Sequence, residues 1–191
     1  MLRKLLSLGV LAAAAFATNA QATTISIGAD GSWNNFDVDD FQSTSGGLEW
    51  IDYGDGSALS FSFTALTEVA LTVVDGGFGG DRFNVFDNGS LLGVTEPAAD
   101  TYPVSIGLNF DAALADANYS KSVFLLGAGS HLITGDLFAS AHDELGGELN
   151  ATVGSLKVAP VPLPASLLLL LSGGGLLGAL GRRRARNAVQ S

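Results

Sequence analysis

Through the middle of the chain, apolar residues recur at every second position. Leu59, Phe61 and Phe63 alternate with Ser60 and Ser62, so an extended segment there has one apolar and one hydroxylated face. Val69, Leu71 and Val73 repeat the pattern in EVALTVVD, and Phe83 and Val85 share one face of DRFNVFDNGSLLGVT. TTISIGA offers Ile25 and Ile27, and GLEWIDYG offers Leu48 and Trp50, as further strands. SVFLLGAGSHLITGDLFAS predicts one or two more, and ELNATVGSLKV a last one. Asn88-Gly89 is the strongest hairpin signal, because a two-residue type I′ turn needs positive φ at both positions. The one helical segment predicted is DAALADANYS, Asp111 to Ser120, with Asp111 as N-cap and only a turn or two in length.

Short period-two segments, abundant glycine and no internal repeat predict a single all-β domain, an antiparallel β-sandwich. The stretch Thr23 to Lys157, about 135 residues, is long enough for one domain with a sizeable core and too short for two ordinary ones. There is no cysteine in the chain. Disulfide stapling and thiol nucleophiles are therefore excluded, and stability must come from packing.

Charge sharpens this picture. All 19 acidic residues lie between Asp30 and Glu148, against three basic ones (Arg82, Lys121 and Lys157), a net −16 over residues 23–157. Such a body is repelled by nucleic acid and by anionic headgroups, and it stays soluble.

The two ends of the chain differ from its middle. Arg3 and Lys4, the apolar run Leu5 to Ala17 and the small residues Ala20-Gln21-Ala22 form the three parts of a secretory leader. Cleavage by signal peptidase is expected after Ala22, leaving Thr23 as the first residue. At the other end, Pro160, Pro162 and Pro164 keep the approach extended. The uncharged run from Ala165 to Gly181 then spans about 25 Å as a helix, marginal against a hydrocarbon core of about 30 Å. Arg182, Arg183, Arg184 and Arg186 follow and are expected to stay cytoplasmic, with the acidic body outside the inner membrane.

Val161, Pro162, Leu163, Pro164 and Ala165, a short leucine-rich span and the cluster Arg182 to Arg184 occur in that order. This tail resembles the VPLPA variant of the PEP-CTERM sorting signal. The resemblance implies recognition in a Gram-negative bacterium by an exosortase, a membrane-embedded cysteine transpeptidase. It also implies cleavage near Pro164 and delivery of the body to the cell surface or extracellular matrix, in association with exopolysaccharide and biofilm. The chain departs from the family in the residues ARNAVQS after the arginines. The body, through GGDRFNVFDNGSLLG and DAALADANYSKSVFLLGAGSHLITG, resembles one found beside such tails. That second resemblance implies a jelly-roll-like sandwich and no particular activity.

The chemistry-bearing stretch is GGFGGDRFN, Gly76 to Asn84, which fits the calcium-binding nonapeptide pattern. That pattern works only in stacked tandem copies, and here there is one copy among period-two strands, so a β-roll is excluded. Two readings stay open. Asp75, Asp81 and Asp87 bracket adjacent turns and are oxygen donors suited to calcium; alternatively the stretch is a glycine turn with the acids that turns favour. FDVDDF, Phe36 to Phe41, puts Asp37 and Asp39 on one strand face, either as calcium or sugar contacts or as an acidic edge that deters aggregation.

No nucleophile elbow, zinc-protease motif or phosphate loop is present, and His131 and His142 are the only histidines. The function expected is non-catalytic, with no cofactor. A calcium-assisted lectin using Asp75, Asp81 and Asp87 is the first alternative, with Trp33, Trp50, Tyr53, Tyr102 and Tyr119 as sugar-stacking residues. A matrix hydrolase is the second.

Overall fold

The computed structural model describes residues 22–162. Ala20, Leu163, Pro164, Ala165, the run to Gly181 and Arg182, Arg183 and Arg184 lie outside the described residues. Among the described residues no helix is long and apolar enough to cross a membrane.

Among the described residues the protein is all-β, with one short helix. In chain order the first strands are β1 (Thr23–Ser26), β2 (Asn34–Asp39), β3 (Leu59–Ala65) and β4 (Val69–Asp75). There follow β5 (Gly77–Phe78), β6 (Arg82–Asp87), β7 (Ser90–Val94) and β8 (Ser105–Gly107). The helix α1 (Phe110–Ala115) leads to β9 (Lys121–Leu126), β10 (Gly129–Ala139) and β11 (Ala151–Pro160). One sheet has the order β1-β3-β10-β6-β7 and the other β2-β11-β4-β9, while β5 and β8 form a separate ribbon. Every pairing is antiparallel except β1 on β3. The chain leaves β1, crosses to the other sheet as β2 and returns as β3, and only a crossover of that kind permits a parallel neighbour.

The alternation legible in the sequence sets the two inner faces. Leu59, Phe61 and Phe63 of β3 and Phe83 and Val85 of β6 meet Val69, Leu71 and Val73 of β4 in one buried cluster. At its centre Phe36 and Trp50 stack at 3.9 Å between ring centroids, 14° from parallel. Phe83 meets Phe36 edge-on at 5.1 Å, and Phe61 meets Trp50 at 6.4 Å. Each ring of the stack rests on a glycine. Gly154 of β11 is the register partner of Phe36, and a Cβ there would run into the Phe36 ring. A Cβ on Gly135 of β10 would run into the Trp50 indole and come within 2.7 Å of the Asn84 carbonyl.

Three expectations need correction. The segment around Leu48 and Trp50 is not a strand of either sheet but a loop tied to both. The Trp50 amide donates to the Gly135 carbonyl at 2.9 Å, and the Ile51 amide to the Asp37 carbonyl at 2.8 Å. Its period-two pattern records a seat between sheets. The helix runs Phe110–Ala115, and its N-cap is Asn109, whose side chain accepts from the Ala112 amide; Asp111 sits in the first turn and accepts instead from the Trp33 indole at 3.0 Å. β4 is buried on both faces, because Val74 packs outward into a second cluster with Phe110, Ala113 and Tyr119. The Asn88-Gly89 hairpin is as expected, with φ of 49° and 77° and Asp87 paired to Ser90.

Gly135→Ala and Gly154→Ala are each expected to lower stability by about 1–3 kcal/mol by overpacking. The urea midpoint measures this, with Gly127→Ala, whose Cβ meets nothing within 4 Å, as the unaffected control. Gly89→Val should cost about 1–2 kcal/mol, since a β-branched residue resists the left-handed conformation. Unchanged unfolding in Gly89→Val would contradict the hairpin's contribution.

Candidate functional site

Two carboxylates occupy positions that the strand pattern reserves for core residues. Val69, Leu71, Val73 and Asp75 share one face of β4, and Asp81, Phe83 and Val85 share one face at the start of β6. The apolar stripes of two strands from opposite sheets therefore each end in an aspartate directed into the sandwich. Asp75 is 0% exposed and Asp81 1%. Asp81 Oδ1 accepts from the Ala141 amide at 2.8 Å. Neither oxygen of Asp75 has a hydrogen-bond partner, although the amides of Gly76, Gly80 and Asp81 lie close enough to favour its charge. Thr152, on the core-facing row of β11 with Leu156 and Val158, brings its buried hydroxyl close enough to Asp81 to favour that carboxylate's charge, though it makes no well-aligned hydrogen bond.

Burial, and then the neighbouring Asp81, push the Asp75 carboxyl well above its usual range. Burial pushes Asp81 up to about 6, opposed chiefly by the Ala141 amide. Asp100 raises Asp81 further, and His142 draws it down. Those two residues lie at the rim, where Asp100 accepts from the His142 amide at 3.0 Å and its carboxylate stands 3.3 Å from Nδ1.

Asp87 is elsewhere. It is separated from Asp81 by the length of β6, about 20 Å at 3.3 Å per residue. Its Oδ2 lies 2.8 Å from His131 Nδ1, and His131 Nε2 lies 3.0 Å from the Gly127 carbonyl, with the ring stacked on Phe63 at 4.9 Å. The calcium set of Asp75, Asp81 and Asp87 is thus corrected: the first two are brought together and the third is not. Turn-flanking acids look adjacent in sequence, but a whole strand runs between Asp81 and Asp87. Among the described residues no group of three or more His, Cys, Asp or Glu side chains is placed to hold a metal ion.

The glycines of the stretch serve the turn. Gly77 and Gly80 have φ of 60° and 125°, and a side chain on Gly79 would strike the Asn118 carbonyl. Thr152, Asp100, His142 and the Asp87–His131 pair were not singled out by motif. A parity count extended beyond the apolar residues would have flagged Asp75, Asp81 and Thr152.

Asp37 and Asp39 do share a face of β2, which is an edge strand. Asp39 Oδ1 accepts from the Phe41 and Gln42 amides at 2.9 and 3.1 Å, so it caps the following turn. Asp37 is half-buried and pushed up to about 6 by burial, then by Asp52 and Asp39. Of the aromatic residues, Trp50 and Tyr119 are buried in the two clusters. Trp33 lies 4.1 Å beneath the Lys157 ammonium, leaving Tyr53 and Tyr102 exposed.

Fold and site together define an all-β, two-sheet protein with a buried acidic pair at one end of its core. No protein-family model matches the chain. No curated protein matches it either. Among solved structures, the chain is similar to the pre-peptidase C-terminal domain of a collagenase from Bacillus anthracis, determined at 1.0 Å. The two are 8% identical with a TM-score of 0.36, covering 72% of this chain and 94% of that one. A likeness of this degree carries no argument about function.

The pH dependence of Asp37 has a definite sign. Its folded pKa of about 6 exceeds the ordinary carboxyl value of 3.8, so the folded state holds the proton more tightly. The stabilisation is present below the lower value and is lost as pH rises through the upper one. Asp37→Asn should therefore melt about 2–4 °C higher than the parent above pH 7, for about 1 kcal/mol after solvent screening. The two should converge near pH 4, and a gain that does not depend on pH would contradict this account.

Proposed function

We propose that the chain is an exported, non-catalytic surface or extracellular-matrix protein, associated with exopolysaccharide and biofilm, whose body is sorted through its VPLPA-type tail. The observation that carries this reading is where the folded body meets its two processing signals. Thr23, immediately after Ala22, donates its amide to the Ala58 carbonyl at 2.7 Å and opens β1. At the other end β11 stops at Pro160, and Val161, the first residue of the motif, donates to the Glu68 carbonyl at 3.3 Å. Pro162 is exposed. A signal peptidase cut after Ala22 and an exosortase cut near Pro164 leave every strand whole.

The strand order supports a jelly roll for the body. The order β2-β11-β4-β9 faces β3-β10-β6-β7, so the first four of these eight strands alternate between sheets and pair with the last four. The parallel β1 is an addition to one edge. A net −16 suits a body that stays hydrated outside the cell. The lectin reading loses its ligand set, because Asp75 and Asp81 are closed to a sugar. The hydrolase reading gains nothing from the carboxylates as they are arranged.

Intact-mass measurement of the protein from its native host, with peptide mapping of both ends, tests the proposal. The expected product begins at Thr23 and ends near Pro164, with or without an added group. A chain running through to Ser191 would make it a membrane-tethered domain and remove the matrix reading.

A further inference from the structure

We infer that Asp75 and Asp81, with Thr152, form a buried site for a calcium-sized divalent cation that ties the two sheets together at one end of the core. The inference is independent of how the protein is exported or sorted. It rests on Asp75, whose two oxygens are fully buried without a hydrogen-bond partner. The Gly76, Gly80 and Asp81 amides lie near it, yet no cationic side chain does, and a buried carboxylate without an ion partner is so costly that native structures protonate it or give it to a metal.

Pairing within the protein is not what the body offers. Arg82 donates Nε to the Thr95 carbonyl at 3.0 Å and covers the Phe138 ring at 4.9 Å. Lys121 donates to the Leu114 and Asp116 carbonyls at 2.8 and 2.9 Å. Lys157 stands over Trp33, 3.7 Å from Asp111. These three are the only lysines and arginines between Thr23 and Lys157, and each is committed elsewhere. The one basic group bearing on the pair is His142, at the rim and matched to Asp100.

The donor set is all oxygen: both atoms of Asp75, the Asp81 oxygen not taken by the Ala141 amide, and Thr152 Oγ1. Sulfur is absent from the site, and a hard, oxygen-seeking cation that tolerates irregular coordination is the chemistry such a set selects. Two carboxylates are few for tight binding, so peptide carbonyls and water must complete the shell. The affinity expected is that of an extracellular module, about 10⁻⁴–10⁻³ M. A sugar has no access to such a cation, whose work would be to hold β4, β6 and β11 together.

The test uses the full chain, purified in detergent, stripped with chelator and then titrated with calcium chloride at constant ionic strength. Calorimetry should give one site per chain, and the melting temperature should rise by about 5 °C or more at one hundred times the dissociation constant. Asp75→Asn and Asp81→Asn should each weaken binding by at least about tenfold. Glu68→Gln, an exposed change, should leave it as in the parent. Asp75→Asn removes a carboxyl whose charged form burial disfavours, so in chelator it should melt no lower than the parent, and lost binding is then not lost folding. The inference is overturned by a melting temperature unmoved by calcium chloride raised to about 100 mM, one hundred times the weakest dissociation constant expected. A calcium response equal in the parent and both aspartate variants, or matched by sodium chloride, also overturns it by assigning the effect to surface charge.

Discussion

The face-to-face stack of Phe36 on Trp50 is the contact around which the sandwich is arranged. Two flat rings at 3.9 Å fill the space between the sheets, and this works only because each sheet has a glycine where a ring lies against it. Gly154 lies opposite Phe36 in the strand ladder, and Gly135 both lies under the indole and accepts the Trp50 amide. Trp50 belongs to neither sheet, so its loop closes the core by hydrogen bonding to β10 on one side and β2 on the other. The loop also covers part of the β2 edge, which would otherwise be left open to pairing.

The core has an apolar centre and one acidic end. Along β4 the inward row runs Val69, Leu71, Val73, Asp75, and along β6 it runs Asp81, Phe83, Val85. The same alternation that buries the valines buries the aspartates, and their desolvation works against the packing that places them. With the lysines and arginines of the body held elsewhere, the conflict is relieved by a proton or by a cation.

Both ends of the body are tied into its sheets. β1 opens at Thr23, and β11 carries its ladder as far as Pro160. Its first strand lies on β3 and its last between β2 and β4, so both termini are anchored by neighbours from the middle of the sequence.

Class, strands and hairpin were legible in the sequence because they rest on local rules. Alternation at Leu59-Phe61-Phe63 and at Val69-Leu71-Val73 specifies strands with an inward row, and Asn88-Gly89 specifies a turn whatever surrounds it. Local rules misjudged Trp50, whose pattern looked like a strand, and Asp111, which a better-placed Asn109 displaced as cap. They also joined Asp87 to Asp75 and Asp81, since nearness to turns says nothing about which end of a strand a residue occupies. The tertiary structure decided the parallel place of β1, the meeting of Asp75 with Asp81 and Thr152, and the seat of each ring on its glycine. All of these join residues far apart in sequence. They depend on which sheet a strand enters and in what register, and no short window of the chain contains that information.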